Sequence, residues 1–506
     1  MTRSRSLRDR LAPPMPGRAL IGWGGPILVA VFAAVLRFYR LGAPHAFVFD
    51  ETYYAKDALA LLRFGVEHDT VKHANSQLLA GNSHIFTGQG SFVVHPPMGK
   101  WLIAVGEWAF GATPFGWRFA AAVIGSLSVL VLARVVRRMT RSTLLGCVAG
   151  LLLSLDALHF VHSRLALLDI FITFWVVAAF ACLVADRDAV RARLADRVSA
   201  AGAGTFGPGG GIRLWRLGAG VCLGLACASK WNAIPFVAAF GLLSVGWDIF
   251  NRRAAGVRRP YTGALLRDAA PAFVSIVIVA MAVYVATWSG WFLSGEGWDR
   301  HWAASHAGTL VPVVPAVFQS WWHYQVQTWQ FHSTLAKPHN YASAPWTWIL
   351  LIRPVAYYYT SPHGCGAPNC SSAILGIGTP AIWWAAMPAL LVMLWLWLVR
   401  RDWRAGTVVV SVAATWLPWF ATGRQTEFLF YMLPAVPFFA IALTLCLGII
   451  LGRAGSSPMR RGMGAAIAGA YLLVVIANFW YLTPILNADV IPYAGWHARM
   501  WFPSWI

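Results

Sequence analysis

The sequence predicts an all-α polytopic membrane protein, and three observations carry that prediction. Of the 506 residues, 58% are hydrophobic and only 12% charged, whereas a soluble protein carries roughly 25% charged residues. Apolar runs recur along the whole chain, near the length of about 20 residues that a bilayer core demands of a helix. The basic residues cluster in short segments between those runs, as the positive-inside rule places them in cytoplasmic loops. The formal charge of +21 is thus spread over membrane loops. A nucleic-acid binder would mass it on one face, so that class is excluded.

Eleven stretches qualify as spans, a few of them marginally: 19–39, 119–136, 144–162, 165–185, 214–230, 232–249, 270–293, 377–399, 405–422, 428–451 and 464–486. The first has no small-residue cleavage site behind it and reads as an anchor, not a removed leader. The start "MTRSRSLRDR" is basic, which puts the tail 1–18 in the cytoplasm. An odd span number leaves the C-terminus outside. The division is a tail 1–18, a transmembrane module 19–293 with its first outer loop at 40–118, a large outer loop 294–376, C-terminal helices 377–486 and an outer tail 487–506. Of the 40 Lys and Arg, 26 then lie inside and 14 outside. All fourteen His and all five Lys fall outside or at outer helix ends. The chemically varied residues therefore face outward.

Both long outer loops are rich in Trp, Tyr and Phe, as suits segments at the headgroup level. "DALALLRFG" and "MGKWLIAVGEWAFG" each read as an interfacial helix too short to span. "AAGAGTFGPGGG" at 200–211 reads as a flexible cytoplasmic linker. No internal repeat marks a two-fold transporter, and polar residues gather at outer helix ends instead of mid-membrane, against a transporter or flippase.

Within "FVFDETYYAKDALALL", Asp50 and Glu51 stand side by side just past the first span. Such a pair is costly near lipid unless it is solvated, paired or used. One reading is helix capping, with Asp50 accepting backbone N–H bonds. Adjacent helical residues point about 100° apart, so the two carboxylates do not share one role. In "VHPPMGKWL" two prolines after His95 fix a turn and start a helix with Lys100 on its first turn. In "SRLALLDIF", Arg164 and Asp169 flank a very short outer connection. They read as a helix-pinning ion pair, a functional pair, or both. Lys230 and Arg424 also sit at outer helix ends, where each could snorkel or, with Arg164, converge on an anion such as a phosphate. Asp156, His159 and His162 have metal-like spacing, but no fourth ligand is evident, and no metal site is expected. Cys365 and Cys370, in "HGCGAPNC", suit a local disulfide outside the cytoplasm.

These motifs occur in the order "FDETYYAKDALALL", "HPPMGKWL", "SRLALLDIF", "HNYASAPWTWILLIRPVAYYY" and "RQTEFLFYMLPAVP". That order resembles the polyprenyl-phosphate-mannose–protein O-mannosyltransferases, the protein mannosyltransferase family of the GT-C membrane glycosyltransferases. The resemblance covers nearly the whole chain. It implies a GT-C fold, with module 19–293 catalytic. The implied reaction is inverting transfer of mannose from a lipid-phosphate donor to Ser or Thr of secreted proteins, at the extracytoplasmic face of the cell membrane. Such a reaction needs a base for the hydroxyl proton and cations for the leaving phosphate. The resemblance makes Asp50 the candidate base. Glu51 is the second acid, contacting the acceptor or holding the base. Arg164 is the donor-phosphate ligand, and Lys230 and Arg424 join it by position and charge. His95, Lys100, Asp169, His339, Tyr341 and Trp346 become site-lining residues. No cofactor is implied, since the lipid-phosphate sugar is a substrate.

The eukaryotic members carry a β-trefoil domain in their large outer loop, and the loop here is too short to hold one. The chain therefore resembles the bacterial members, which the family places beside the secretion translocon, acting on unfolded acceptors. A second enzyme reading is another GT-C transferase with a glycan or lipid acceptor. "HPP" and "HNYASAPWTW" weigh against it.

Overall fold

The computed structural model describes residues 6–17, 19–306, 311–453 and 455–506. The basic start 1–5 and Arg18, part of the predicted cytoplasmic tail, lie outside the described residues, as does 307–310 of the large loop.

A helix occupies each of the eleven predicted stretches. Among the described residues, eight helices are long and apolar enough to cross a membrane: Leu20–Phe38, Pro114–Thr140, Asp169–Ala201, Trp231–Ala254, Pro260–Thr287, Pro380–Leu398, Leu429–Leu451 and Pro458–Ile485. Three are shorter: Thr143–Ser154, Leu214–Cys227 and Trp403–Trp416. The stretch 144–162 is not one helix. It breaks at Leu155, and Asp156 restarts it by accepting the His159 N–H at 2.9 Å. An Asp inside an apolar run satisfies itself by capping. Its other oxygen accepts from the Trp383 indole at 2.8 Å. His159 and His162 bond Arg37 (2.9 Å) and the Tyr357 hydroxyl (2.7 Å), so this trio is a buried hydrogen-bond cluster.

Helix Asp169–Ala201 overruns its predicted end by four turns. The glycine-rich stretch beyond it is pinned, contrary to the expected loose linker. Arg193 donates to the Ile212 carbonyl, Arg197 to Gly209, and Arg252 to Phe206 and Pro208. The same face holds buried Arg213–Asp186, Arg213–Asp248 and Arg252–Asp268 pairs.

On the opposite side, helix Glu51–Phe64 ends at Gly65, whose φ of 75° suits a residue without Cβ. It packs against helix Met98–Phe110. The large loop contributes helix Ala316–Thr334. It also holds an antiparallel hairpin, Val355–Thr360 with Cys370–Gly376, which Ile491–Pro492 of the C-terminal tail extends to three strands. These strands add to the all-α expectation. Cys365 and Cys370 form a disulfide at the hairpin tip, with Cα atoms 5.9 Å apart. The tail is clamped back by Trp505, whose indole donates to the Leu351 carbonyl at 2.7 Å.

Candidate active site

The loop after the first membrane helix places the acidic pair. Arg118, in the first turns of the second membrane helix, donates to the carbonyls of Leu41 (3.3 Å), Pro44 (3.1 Å) and Ala46 (2.9 Å). It also grips both Glu51 oxygens at 2.8 Å. Glu51 further accepts the backbone N–H groups of Val48 (2.9 Å) and Ala166 (3.0 Å). Both of its oxygens are thus used and the side chain is fully buried. Glu51 therefore ties three segments together and has no oxygen left for an acceptor.

Asp50 is different. It stands at the helix start but makes no capping bond, so the capping reading fails for it. Its one side-chain hydrogen bond among the described residues is a long one from the Tyr54 hydroxyl, 3.5 Å. It remains partly open to solvent. Burial pushes its carboxyl up to about 6, Lys230 pulls it back, and Asp169 raises it again. Phe49, beside it, holds φ at 52°, a strained region for an aromatic residue. Its ring is fixed there by Tyr357 (4.9 Å), Phe430 (6.0 Å) and Phe428 (6.5 Å).

Lys230 reaches Asp169 at 3.0 Å and lies 5.0 Å from the Tyr431 ring centre. Asp169 thus pairs with Lys230; the expected Arg164–Asp169 bridge does not form. Arg424 makes no hydrogen bond or ion pair among the described residues. His95 and His332 stack at 5.2 Å. Burial holds the His95 imidazole well below its usual range, and Lys230 and Arg424 press it further down. Burial also lowers His332 to about 4, with Arg424 and Lys230 adding to it. Lys230 and Arg424 therefore both lie within electrostatic reach of this pair of rings.

Arg164 does not join them. Its NH1 donates to the carbonyls of Leu36 (3.2 Å), Arg37 (3.0 Å) and Tyr39 (2.6 Å), satisfying the end of the first membrane helix. Its charged neighbours are Arg118, Arg40 and Asp489. Arg164 is thus spent on the first helix and does not take part in the expected three-cation cluster. Lys100 is also spent. It is buried, paired with Glu67, and donates to the His95 carbonyl at 3.0 Å, so it fixes the turn and does not line the site. His339 packs edge-on against Phe428 at 4.9 Å. Tyr341 lies under Arg353 at 5.3 Å. Trp346 is 61% exposed. Trp348, two residues on, is the buried ring, 6.1 Å from Tyr431.

Sequence reasoning missed Tyr54, Arg118, His332 and the aromatic triplet Phe428, Phe430 and Tyr431. Tyr54 had a signal, its spacing of four from Asp50. His332 had none, since no local motif marks it.

The helical membrane bundle is that of a GT-C glycosyltransferase. It superposes on the Saccharomyces cerevisiae protein O-mannosyltransferase Pmt1-Pmt2 complex bound to the sugar donor, with a TM-score of 0.76 at 16% identity, covering 98% of this chain and 94% of that one. It also superposes on ArnT from Cupriavidus metallidurans bound to undecaprenyl phosphate, with a TM-score of 0.51 at 15% identity, covering 93% and 75%. Two family models match, "Dolichyl-phosphate-mannose-protein mannosyltransferase" over 27–288 and "C-terminal four TMM region of protein-O-mannosyltransferase" over 317–505. Polyprenol-phosphate-mannose–protein mannosyltransferases from Mycobacterium tuberculosis and Corynebacterium glutamicum are similar. The first is 41% identical over 96% of this chain and 92% of the relative, the second 36% over 94% and 92%. The chain belongs to the protein O-mannosyltransferase family and is a glycosyltransferase.

Proposed function

We propose that the chain transfers mannose from polyprenyl-phosphate-mannose to Ser or Thr hydroxyls of secreted or membrane proteins. Transfer inverts the anomeric centre, needs no metal and takes place at the extracytoplasmic face of the cell membrane. The single observation that carries this reading is the contrast within the acidic pair. Glu51 is used up in holding the loop, while Asp50 stays open, with its proton affinity raised, beside Lys230. A base working near neutral pH wants that state.

In this reading Asp50 takes the proton of the acceptor hydroxyl. The hydroxyl oxygen bonds the anomeric carbon as the bond from that carbon to the phosphate oxygen breaks. Lys230 and Arg424 meet the charge that grows on the leaving lipid phosphate. Lys230 has one proton beyond the two turned to Asp169, and Arg424 is unpaired among the described residues. Glu51 is a positioning residue. The donor is inferred from the names of the relatives, and the outward orientation from the distribution of Lys and Arg.

The test supplies purified protein with polyprenyl-phosphate-mannose and a Thr/Pro-rich peptide, with and without chelator, for wild type and Asp50→Asn. Mannosyl-peptide that resists chelator and disappears in a folded Asp50→Asn is the expected result. Turnover only with another lipid-phosphate sugar, or only onto a glycan or lipid, would overturn the proposal.

A further inference from the structure

Next to the acid and the two cations lies a strip of polar groups that the transfer chemistry leaves unused. It is continuous with Asp50. The Tyr54 ring stands 6.0 Å from His95. His95 stacks on His332, and His332 lies 6.2 Å from Trp231. The Trp231 indole donates to the Tyr284 hydroxyl at 2.9 Å, and that hydroxyl donates to Gln325 Oε1 at 2.6 Å. Gln325, Thr328 and His332 are spaced by three and four along helix Ala316–Thr334 and so share one face.

Four atoms on this strip are buried without a partner among the described residues: Gln325 Nε2, Thr328 Oγ1, His332 Nδ1 and His95 Nδ1. Gln325 and Thr328 are 7% and 3% exposed. A buried polar group left unpaired costs about 1–3 kcal/mol, so a run of them along one wall is built for something that supplies partners. Their chemistry is mixed. Gln325 Nε2 only donates. His332 donates through Nε2 to the Val94 carbonyl at 3.0 Å, which leaves Nδ1 of the neutral ring as an acceptor. The Thr328 hydroxyl does both. A phosphate would call for donors alone. Neighbouring hydroxyls, each a donor and an acceptor, fit a mixed wall. The wall begins at His95, beside the Tyr54 that donates to Asp50, and Trp231, the residue after Lys230, stands 6.2 Å from His332. Its ligand is therefore the group bonded directly to the phosphate those cations would hold.

We propose that Gln325, Thr328, His332 and His95 form the wall that reads the ring hydroxyls of the transferred sugar. This rests on the function proposed above and names the residues that set donor specificity. Thr328→Val keeps the shape and removes one hydrogen-bonding group. Gln325→Met removes the amide. Losing a matched hydrogen bond to an uncharged group costs about tenfold in kcat/KM.

The experiment measures kcat/KM for polyprenyl-phosphate-mannose and for four donors that each lack one ring hydroxyl, at 2, 3, 4 or 6. Wild type, Thr328→Val, Thr328→Ser and Gln325→Met are compared, with the thermal midpoint of each as a check on folding. Wild type is expected to disfavour at least one deoxy donor about tenfold. Thr328→Val and Gln325→Met should each abolish one such preference, and Thr328→Ser should keep it. All ratios unchanged in both apolar variants would mean that ordered water satisfies the strip, and the proposal would be wrong. A rise in peptide KM with unchanged donor ratios would also overturn it, by assigning the wall to the acceptor. Wild type that turns over only a different lipid-phosphate sugar would sink the mannose reading separately. The deoxy series of that sugar then decides the wall by the same ratios.

Discussion

Glu51 and Arg118 face each other as a two-pronged pair, both contacts 2.8 Å, with neither side chain reaching solvent. Removing one partner of such a pair leaves a buried charge alone and costs about 3–5 kcal/mol. Glu51→Ala and Arg118→Met should therefore lower the thermal midpoint in detergent sharply, and both should lose activity with the fold. Asp50→Asn should lose activity at an unchanged midpoint. A well-folded Glu51→Ala that merely turns over slowly would return Glu51 to the chemistry.

The acid limb of the rate profile should report Asp50. Burial raises its pKa to about 6, so the basic form is lost as pH falls through that value. The value of kcat/KM should climb through about pH 6 and level off above it. Lys230 favours the carboxylate, and removing it favours the acid form. Lys230→Gln should move the limb to higher pH as well as weakening donor binding. A limb that stays in place in Lys230→Gln would show that another group sets it.

Arg164 and Arg424 should fail in opposite ways. Arg164→Met strips the donors from three carbonyls at the end of the first helix, costing about 1–3 kcal/mol of stability with donor KM unchanged. Arg424→Met should leave the thermal midpoint alone and raise donor KM by about tenfold or more, the size of a lost charge-assisted bond. Swapped phenotypes would restore Arg164 to the phosphate.

Trp346 and Trp348 separate surface from core within one motif. Trp348→Ala empties a fully buried site and should cost about 3–5 kcal/mol. Trp346→Ala should stay within about 0.5 kcal/mol. Chemical denaturation in micelles would measure both.

The sequence made the membrane bundle legible because apolar runs and basic loops are local signals. It also marked Asp50, Lys230 and Arg424 as candidates, since charges near lipid are conspicuous. It misjudged Arg164 because charge and position say nothing about which carbonyls a guanidinium will find. Lys100 misled in the same way, as its partner Glu67 lies thirty-three residues off. His332 and the wall of helix Ala316–Thr334 were invisible. Their meaning depends on a helix from the large loop docking beside a turn in the first. The strands were hidden by aromatic composition, which reads equally as interfacial loop.

Phe49, which sets the backbone before Asp50, is held by the rings of Phe428 and Phe430, contributed from the far end of the chain. A ribosome must therefore deliver nearly all of the membrane helices before the site exists. Until then the loop bearing Asp50 has its anchor on Arg118 but lacks the two rings that pack Phe49 in its strained form. A nascent chain still waiting for its last helices carries the acid without the finished pocket, and so should be unable to transfer sugar.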